Sequence, residues 1–429
     1  MPAASLTRFL MTKALTLRSR ARRLVALTPK AVGFRRDDLP YAPSAAHFKA
    51  ANRRLAKIDA VIRQRLQQLA KAGSDPQAQL ATMAMVEREV DRARRAFGMF
   101  FEIFAQRGTA FAPALAAHDA IAADCYRAVR TGAPGLLTKP LLEPLTYLEH
   151  GYSPATMRRG VTLNRLLGEH NPFPLIRIPY DRDDPWQAVF LHEVAHNLQA
   201  DLGLWVENKQ AVQKRLLRDR MAPRITEIYS RWHKEIFADL ASILLGGPAV
   251  AWGLAEFLAH PPPKVMTYRP GGAHPTNYLR VLILAEMLRR MRFPEEGHRL
   301  AAVWKQLYRP ERQGHRILKE LLTSAGKVIP AVVDEIAWQP RRSLAEHALG
   351  DVIRFSREDQ ARIRRGGMLL RAGRLPVNLP PRFIVSASRY AIEAGADTAK
   401  LSRLIIGRLS RRAPASRTWP ARQPISQAA

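Results

Sequence analysis

Apolar residues recur at three- and four-residue steps along most of this chain, which is the period of one face of an α-helix. Residues 55–70 and 86–104 carry that spacing, and Phe97, Met99, Phe100, Phe101 and Phe104 read as a packing cluster. A third run, Ile225, Ile228, Tyr229, Trp232, Ile236, Leu240 and Ile243, opens at Pro223 and stops at Gly246-Gly247-Pro248. Shorter helical runs follow at 281–291, 300–307, 317–322 and 389–392, whereas 375–381, with three prolines, reads as loop. Strand signals are sparse. The stretch from Phe173 to Tyr180 is rich in β-formers, but Pro174 and Pro179 remove ladder donors, so it reads as an edge strand. The pattern predicts an α+β, mostly α protein.

Candidate chemistry sits on two of these helices. Asp184-Pro185-Trp186-Gln187 offers an N-cap, a proline for the first helical position and a glutamine three residues past the cap, so a helix is expected from Pro185 to about Gly203. On it His192 and His196 stand one turn apart on one face, beside the apolar surface of Leu191, Ala195, Leu198 and Leu202. With Glu193 they form an HExxH motif: two imidazoles able to bind one zinc ion, and a carboxylate able to reach a water held by the metal. Glu235 and Asp239 repeat the four-residue spacing on the helix opened by Pro223. One carboxylate suits a third ligand, and the other a hydrogen bond that fixes the tautomer of a ligand histidine. Two histidines and a glutamate leave zinc an open fourth position, as a hydrolytic site requires. The competing readings are two incidental histidines, a surface ion pair of Glu235 with Lys234, and an ordinary loop histidine at 274. His233 lies off the Glu235 face and reads as structural or exposed, and Cys125 reads as a small core residue.

These motifs resemble the gluzincin class of zinc metallopeptidases, whose members pair HExxH with a downstream glutamate in an ExxxD or ExxAD segment, here Glu235 to Asp239. The resemblance implies one Zn2+ per chain held by His192, His196 and Glu235, with Glu193 as general base and Asp239 supporting a ligand histidine. The metzincin pattern fails, because Gln199 and Leu202 stand where that class has glycine and histidine. His274-Pro275 followed by Arg280 is similar to the pattern of the family containing the CAAX-prenyl endopeptidases and the bacterial heat-shock membrane proteases. That similarity implies a zincin-like catalytic domain, a role for His274 in steadying an oxyanion, and Arg280 as active-site support. By the same resemblance, Leu175, Ile176, Arg177 and Ile178 are the candidate edge strand on which an extended peptide substrate would pair. The likeness spans roughly residues 172–292. Those relatives cross membranes, whereas the most apolar stretch here, 241–259, is broken by Gly246-Gly247-Pro248 and Glu256 and reads as core, so no transmembrane span is expected.

Charge adds a second theme. The 429 residues carry a net charge of +31, and the ends are acid-free: residues 1–36 hold nine Lys or Arg and residues 400–429 hold seven. Such ends favour an anionic membrane surface or nucleic acid as partners beside a peptide or protein substrate, although no nucleic-acid motif accompanies them. The N-terminal mixture of Arg8, Lys13, Arg18, Arg20, Arg22 and Arg23 with Leu6, Phe9, Leu10, Leu15 and Leu17 suits a transit peptide or a membrane-surface helix, and poorly suits a secretory signal. The single cysteine excludes an intramolecular disulfide and fits a reducing compartment, so the expected location is cytoplasmic, with peripheral membrane association or organelle targeting as alternatives. The chain divides by composition into a basic, flexible segment (1–44), a helical region (45–168), a zincin-like metallopeptidase domain (169–325), a helical C-terminal region (326–411) and a disordered basic tail (412–429). The expected function is a zinc metallopeptidase. The alternative is a non-catalytic binding or scaffold protein on a zincin fold.

Overall fold

The computed structural model describes residues 2–71, 75–137, 142–151, 153–160, 170–309 and 316–410; the tail expected from 412 onward lies outside them. The described chain forms two units, one of residues 2–113, 160 and 170–173, the other of 114–159 and 174–410.

In the first unit, α1 (Pro2–Arg22) is followed by the short α2 (Pro29–Val32), capped by Thr28, whose hydroxyl accepts from Ala31 N at 3.0 Å. Two long helices follow, α3 (Ala45–Lys71) and α4 (Pro76–Ala105). Phe48, Ala51, Leu55, Ile58, Ile62 and Leu69 make the buried stripe of α3 at the helical period, and Met83, Val86, Val90, Ala93, Phe100 and Phe104 that of α4. Phe48 and Phe173 close around Phe104, at ring separations of 4.7 and 6.3 Å. Phe97 and Phe101 are half-buried and stack on each other. Residues 1–44, expected as a flexible arm, instead carry α1. Its Leu10 and Ala14 are buried with Leu69 and Met83, and Leu6 and Leu17 pack beside them. Positions 6, 10, 14 and 17 are a helical stripe that the surrounding arginines obscure.

The second unit begins within α5 (Ala112–Gly132) and holds a three-stranded sheet of β1 (Leu145–Leu148), β2 (Ala155–Met157) and β3 (Leu175–Ile178). Helices then follow in order: α6 (Val189–Asp201), α7 (Leu204–Arg218), α8 (Pro223–Gly246), α9 (Pro248–Leu258), α10 (Pro262–Val265), α11 (Asn277–Arg290), α12 (Pro294–Leu307), α13 (Arg316–Ala337), α14 (Leu349–Val352), α15 (Arg357–Arg371), α16 (Pro381–Glu393) and α17 (Thr398–Leu409). The axis of the unit is α8, buried almost throughout because both its polar and apolar faces meet protein; α6, α7, α9, α11, α13 and α16 pack around it. The protein is thus mostly helical with one small sheet, and no described helix is long and apolar enough to cross a membrane.

Two expectations need correction. First, β3 is the central strand: β1 pairs with it in parallel, Leu145 opposite Leu175, and β2 pairs antiparallel, Thr156 opposite Ile176. Leu175, Ile176 and Arg177 therefore have neighbours on both sides, and Ile178 pairs with Leu148 of β1, so this strand is the middle of the sheet and not its free edge. Pro174 and Pro179 flank this strand and remove no donor from inside it. The edge beside α6 is β2, and among the described residues no strand pairs with its outer side. Second, α6 starts at Val189, four residues after Pro185. The Asp184 carboxylate accepts from Ser402 Oγ, and Trp186 Nε1 donates to the same hydroxyl at 3.0 Å, so the presumed cap is engaged with α17.

Gly246-Gly247-Pro248 ends α8 as its sequence implies. Gly247 has φ +74° and sits against the Phe355 ring, which a Cβ would overlap. Gly247→Ala is therefore expected to destabilise the fold by about 2–4 kcal/mol, from the left-handed backbone and the overpacking together, read as a fall in the denaturation midpoint. Unchanged stability would refute this account of the α8–α9 corner.

Candidate metal centre

HExxH lies in the middle of α6 and ExxxD in the middle of α8, and the packing of these two helices brings the motifs face to face. One nitrogen from each of His192 and His196 and one carboxylate oxygen of Glu235 lie within 4.8 Å of one another, a group that can hold a metal ion. Glu235 bridges the imidazoles, with Oε2 3.4 Å from His192 Nε2 and Oε1 3.3 Å from His196 Nε2. The donor chemistry fits a divalent cation: two imidazole nitrogens and one carboxylate at a single point, all on rigid helices.

Behind this group lies a buried ion pair. Asp239 Oδ1 is 2.9 Å from His192 Nδ1, which leaves Nε2 directed toward Glu235. Arg280, three residues into α11, grips the same carboxylate through two nitrogens, at 2.7 and 2.8 Å. Burial works against charge on every member, and the pairings overcome it. Despite that burial, hydrogen bonds that His192 donates to Asp239 and Glu235 push its pKa up to about 9, against the opposing charge of Arg280. Glu235 is pulled well below the ordinary carboxylate range against its own burial, by hydrogen bonds from His192 and His196. Asp239 is lowered against its burial chiefly by Arg280. A metal cation at the group would compete with the His192 proton for the same carboxylates.

Glu193, next to His192 on α6, is buried and contacts β2. Thr156 Oγ1, on β2, lies 2.7 Å from its Oε2 and 2.8 Å from its main-chain oxygen, so the edge strand orients this carboxylate. His274 Nε2 is 3.4 Å from Glu235 Oε2, with 65% of its side chain exposed. The loop that carries it is tied to α8 by Arg231 Nε and Trp232 Nε1, both donating to Gly272 O at 3.2 Å. His192, Glu193, His196, Glu235, His274 and Arg280 all border one cavity of about 700 Å³, which also takes in residues 153–156 along β2. Leu175, Ile176, Arg177 and Ile178 do not border it. His233 is buried with Nδ1 2.6 Å from Ser230 O, and Cys125 is fully buried, which raises its thiol pKa; neither belongs to the group.

Sequence reasoning missed Thr156, because a three-residue strand offers no alternation to read, and it missed the partnership of Arg280 with Asp239. That partnership makes Asp239→Asn an informative substitution. The amide keeps the shape but removes the negative charge that pairs with Arg280 and weakens the hold on His192. Metal affinity is expected to fall about 10- to 100-fold in chelator competition. Equal affinity in the variant would remove Asp239 from the site. Comparison with known protein families, with curated proteins and with solved structures finds no match for this chain.

Proposed function

We propose that the chain is a zinc metallopeptidase of the gluzincin type, with β2, α6 and α8 as its zincin-like core. The observation that carries this reading is the convergence of His192, His196 and Glu235 with Glu193 on the same turn of α6. Zinc is the metal that this donor set suits best, and when bound it would supply a polarised carbonyl and an acidified water. The chain's own residues account for the remainder of the chemistry. Glu193, oriented by Thr156, takes the water proton and delivers it to the departing amine. His274, exposed at the cavity and near Glu235, is placed to donate to the oxygen that gains charge. Asp239 and Arg280 lock the His192 ring. Extended substrate would lie along the outer side of β2, whose main chain is the sheet edge next to Glu193; this assigns to Ala155, Thr156 and Met157 the role first given to β3.

The test is peptide-cleavage profiling of the zinc-loaded protein against a degenerate peptide library. Cleavage that a chelator abolishes and zinc restores is expected. A stoichiometric zinc protein that cleaves no peptide bond would overturn the peptidase assignment.

A further inference from the structure

The first unit carries a cationic helix face that its own packing leaves uncovered. On α1, Leu10 and Ala14 are buried with Leu69 of α3 and Met83 of α4, and Leu6 and Leu17 pack beside them. The same helical period fixes what lies on the opposite side. Arg8, Leu15 and Arg22 stand seven residues apart and so form one row, with Phe9, Arg20 and Arg23 next to it; all six are exposed. The side chains of Arg8, Arg20, Arg22 and Arg23 have no ion pair or hydrogen bond among the described residues. Acids on α4 do not offset them, because those near α1 are matched elsewhere: Glu87 pairs with Lys13 at 2.5 Å, and Asp91, one turn further, with Arg94 and Arg95 at 2.9 Å. Residues 1–36 contain no acid of their own.

Two large apolar side chains share this face. Phe9 is 65% and Leu15 58% exposed, so neither is used in packing α1 against α3 and α4. Their presence decides between anionic partners. The phosphates of a nucleic acid would match the arginines but leave a phenylalanine and a leucine in water. A bilayer interface accepts both kinds of group, with headgroup phosphates for the guanidinium forks and the acyl boundary for the apolar side chains.

We propose that the outer face of α1 docks the protein on anionic lipid bilayers, with Arg8, Arg20, Arg22 and Arg23 at the headgroups and Phe9 and Leu15 inserted beneath them. This surface belongs to the first unit alone and is independent of the metal centre and of the peptidase reading.

The experiment is co-sedimentation of the full chain with phosphatidylcholine vesicles that contain or lack phosphatidylglycerol, beside binding to duplex and single-stranded DNA. Wild type is expected to bind the anionic vesicles, more weakly as salt rises, and to leave the neutral ones in solution. Replacing the four arginines by glutamine should lower partitioning on the order of 100-fold, since each cation near an anionic surface contributes roughly a factor of five. Phe9→Ser with Leu15→Ser should lower it about 10-fold with the charge intact. All six positions face away from Leu10 and Ala14, and circular dichroism with the denaturation midpoint checks that the fold is kept. A third variant reads insertion directly. Leu15→Cys can be labelled selectively, because Cys125 is fully buried, and an environment-sensitive dye at 15 should brighten on anionic vesicles. No binding to anionic vesicles, or binding that neither set of substitutions weakens, overturns the proposal. DNA binding that needs the arginines but ignores Phe9 and Leu15, with no dye response to vesicles, overturns it in favour of a nucleic-acid face. Cleavage of a short uncharged peptide should be the same in all these variants, so failure of the membrane face and failure of the peptidase reading appear in different assays.

Discussion

Zinc is expected to fall from about one ion per chain to near zero when His192 and His196 are both replaced by alanine, the largest effect on composition that the proposed function implies. Three protein donors would hold the ion, and with both imidazoles gone Glu235 alone cannot keep it. Both are removed because His274 is a third imidazole near Glu235, 3.4 Å from Oε2, and is the obvious substitute ligand in a single variant. The fold has reason to survive, since Asp239 keeps its two bonds to Arg280 and the apolar contacts of α6 are carried by Leu191, Val194, Ala195 and Leu198. Elemental analysis beside circular dichroism decides the matter. Full zinc occupancy in a folded double variant would place the metal elsewhere.

The parts of this site that the sequence discloses are those fixed by helical geometry alone. A four-residue step places His192 with His196, and Glu235 with Asp239, whatever the helices pack against. The meeting of α6 with α8 was implied only through the motif likeness. Features that depend on long-range pairing stayed hidden. The place of β3 in the sheet is not legible in sequence, because prolines at 174 and 179 look like interruptions of a strand that they in fact bracket. The start of α6 was misjudged because Asp184, an ordinary cap by type, is claimed by Ser402, 218 residues away. An amphipathic helix is legible in the N-terminal mixture of leucines and arginines, whereas the burial of Leu10 and Ala14 with Leu69 and Met83 depends on helices far along the chain.

Turnover is expected to drop by at least about 100-fold in Glu193→Gln, with metal and fold retained, because on the peptidase reading this residue moves a proton, and it is not one of the three grouped ligands. Gln is close to Glu in size, and its amide oxygen can still accept from Thr156 Oγ1, which now bonds Oε2 at 2.7 Å. What the amide lacks is a basic oxygen for the water proton. The loss should therefore appear in kcat, with KM for the same peptide changing little, and zinc content should match wild type. The variant also separates the peptidase reading from the alternative of a binding or scaffold protein. A scaffold that uses its basic surface to engage nucleic acid or anionic membrane needs no proton acceptor on α6, so its salt-dependent association would be the same with Glu or Gln at 193. If wild type and variant are measured side by side for zinc, peptide cleavage and binding to anionic vesicles or nucleic acid, the peptidase reading requires that cleavage alone be lost. Equal activity of the two proteins in every assay would instead assign the function to the charged surface and leave the His192–Glu235 group a structural role.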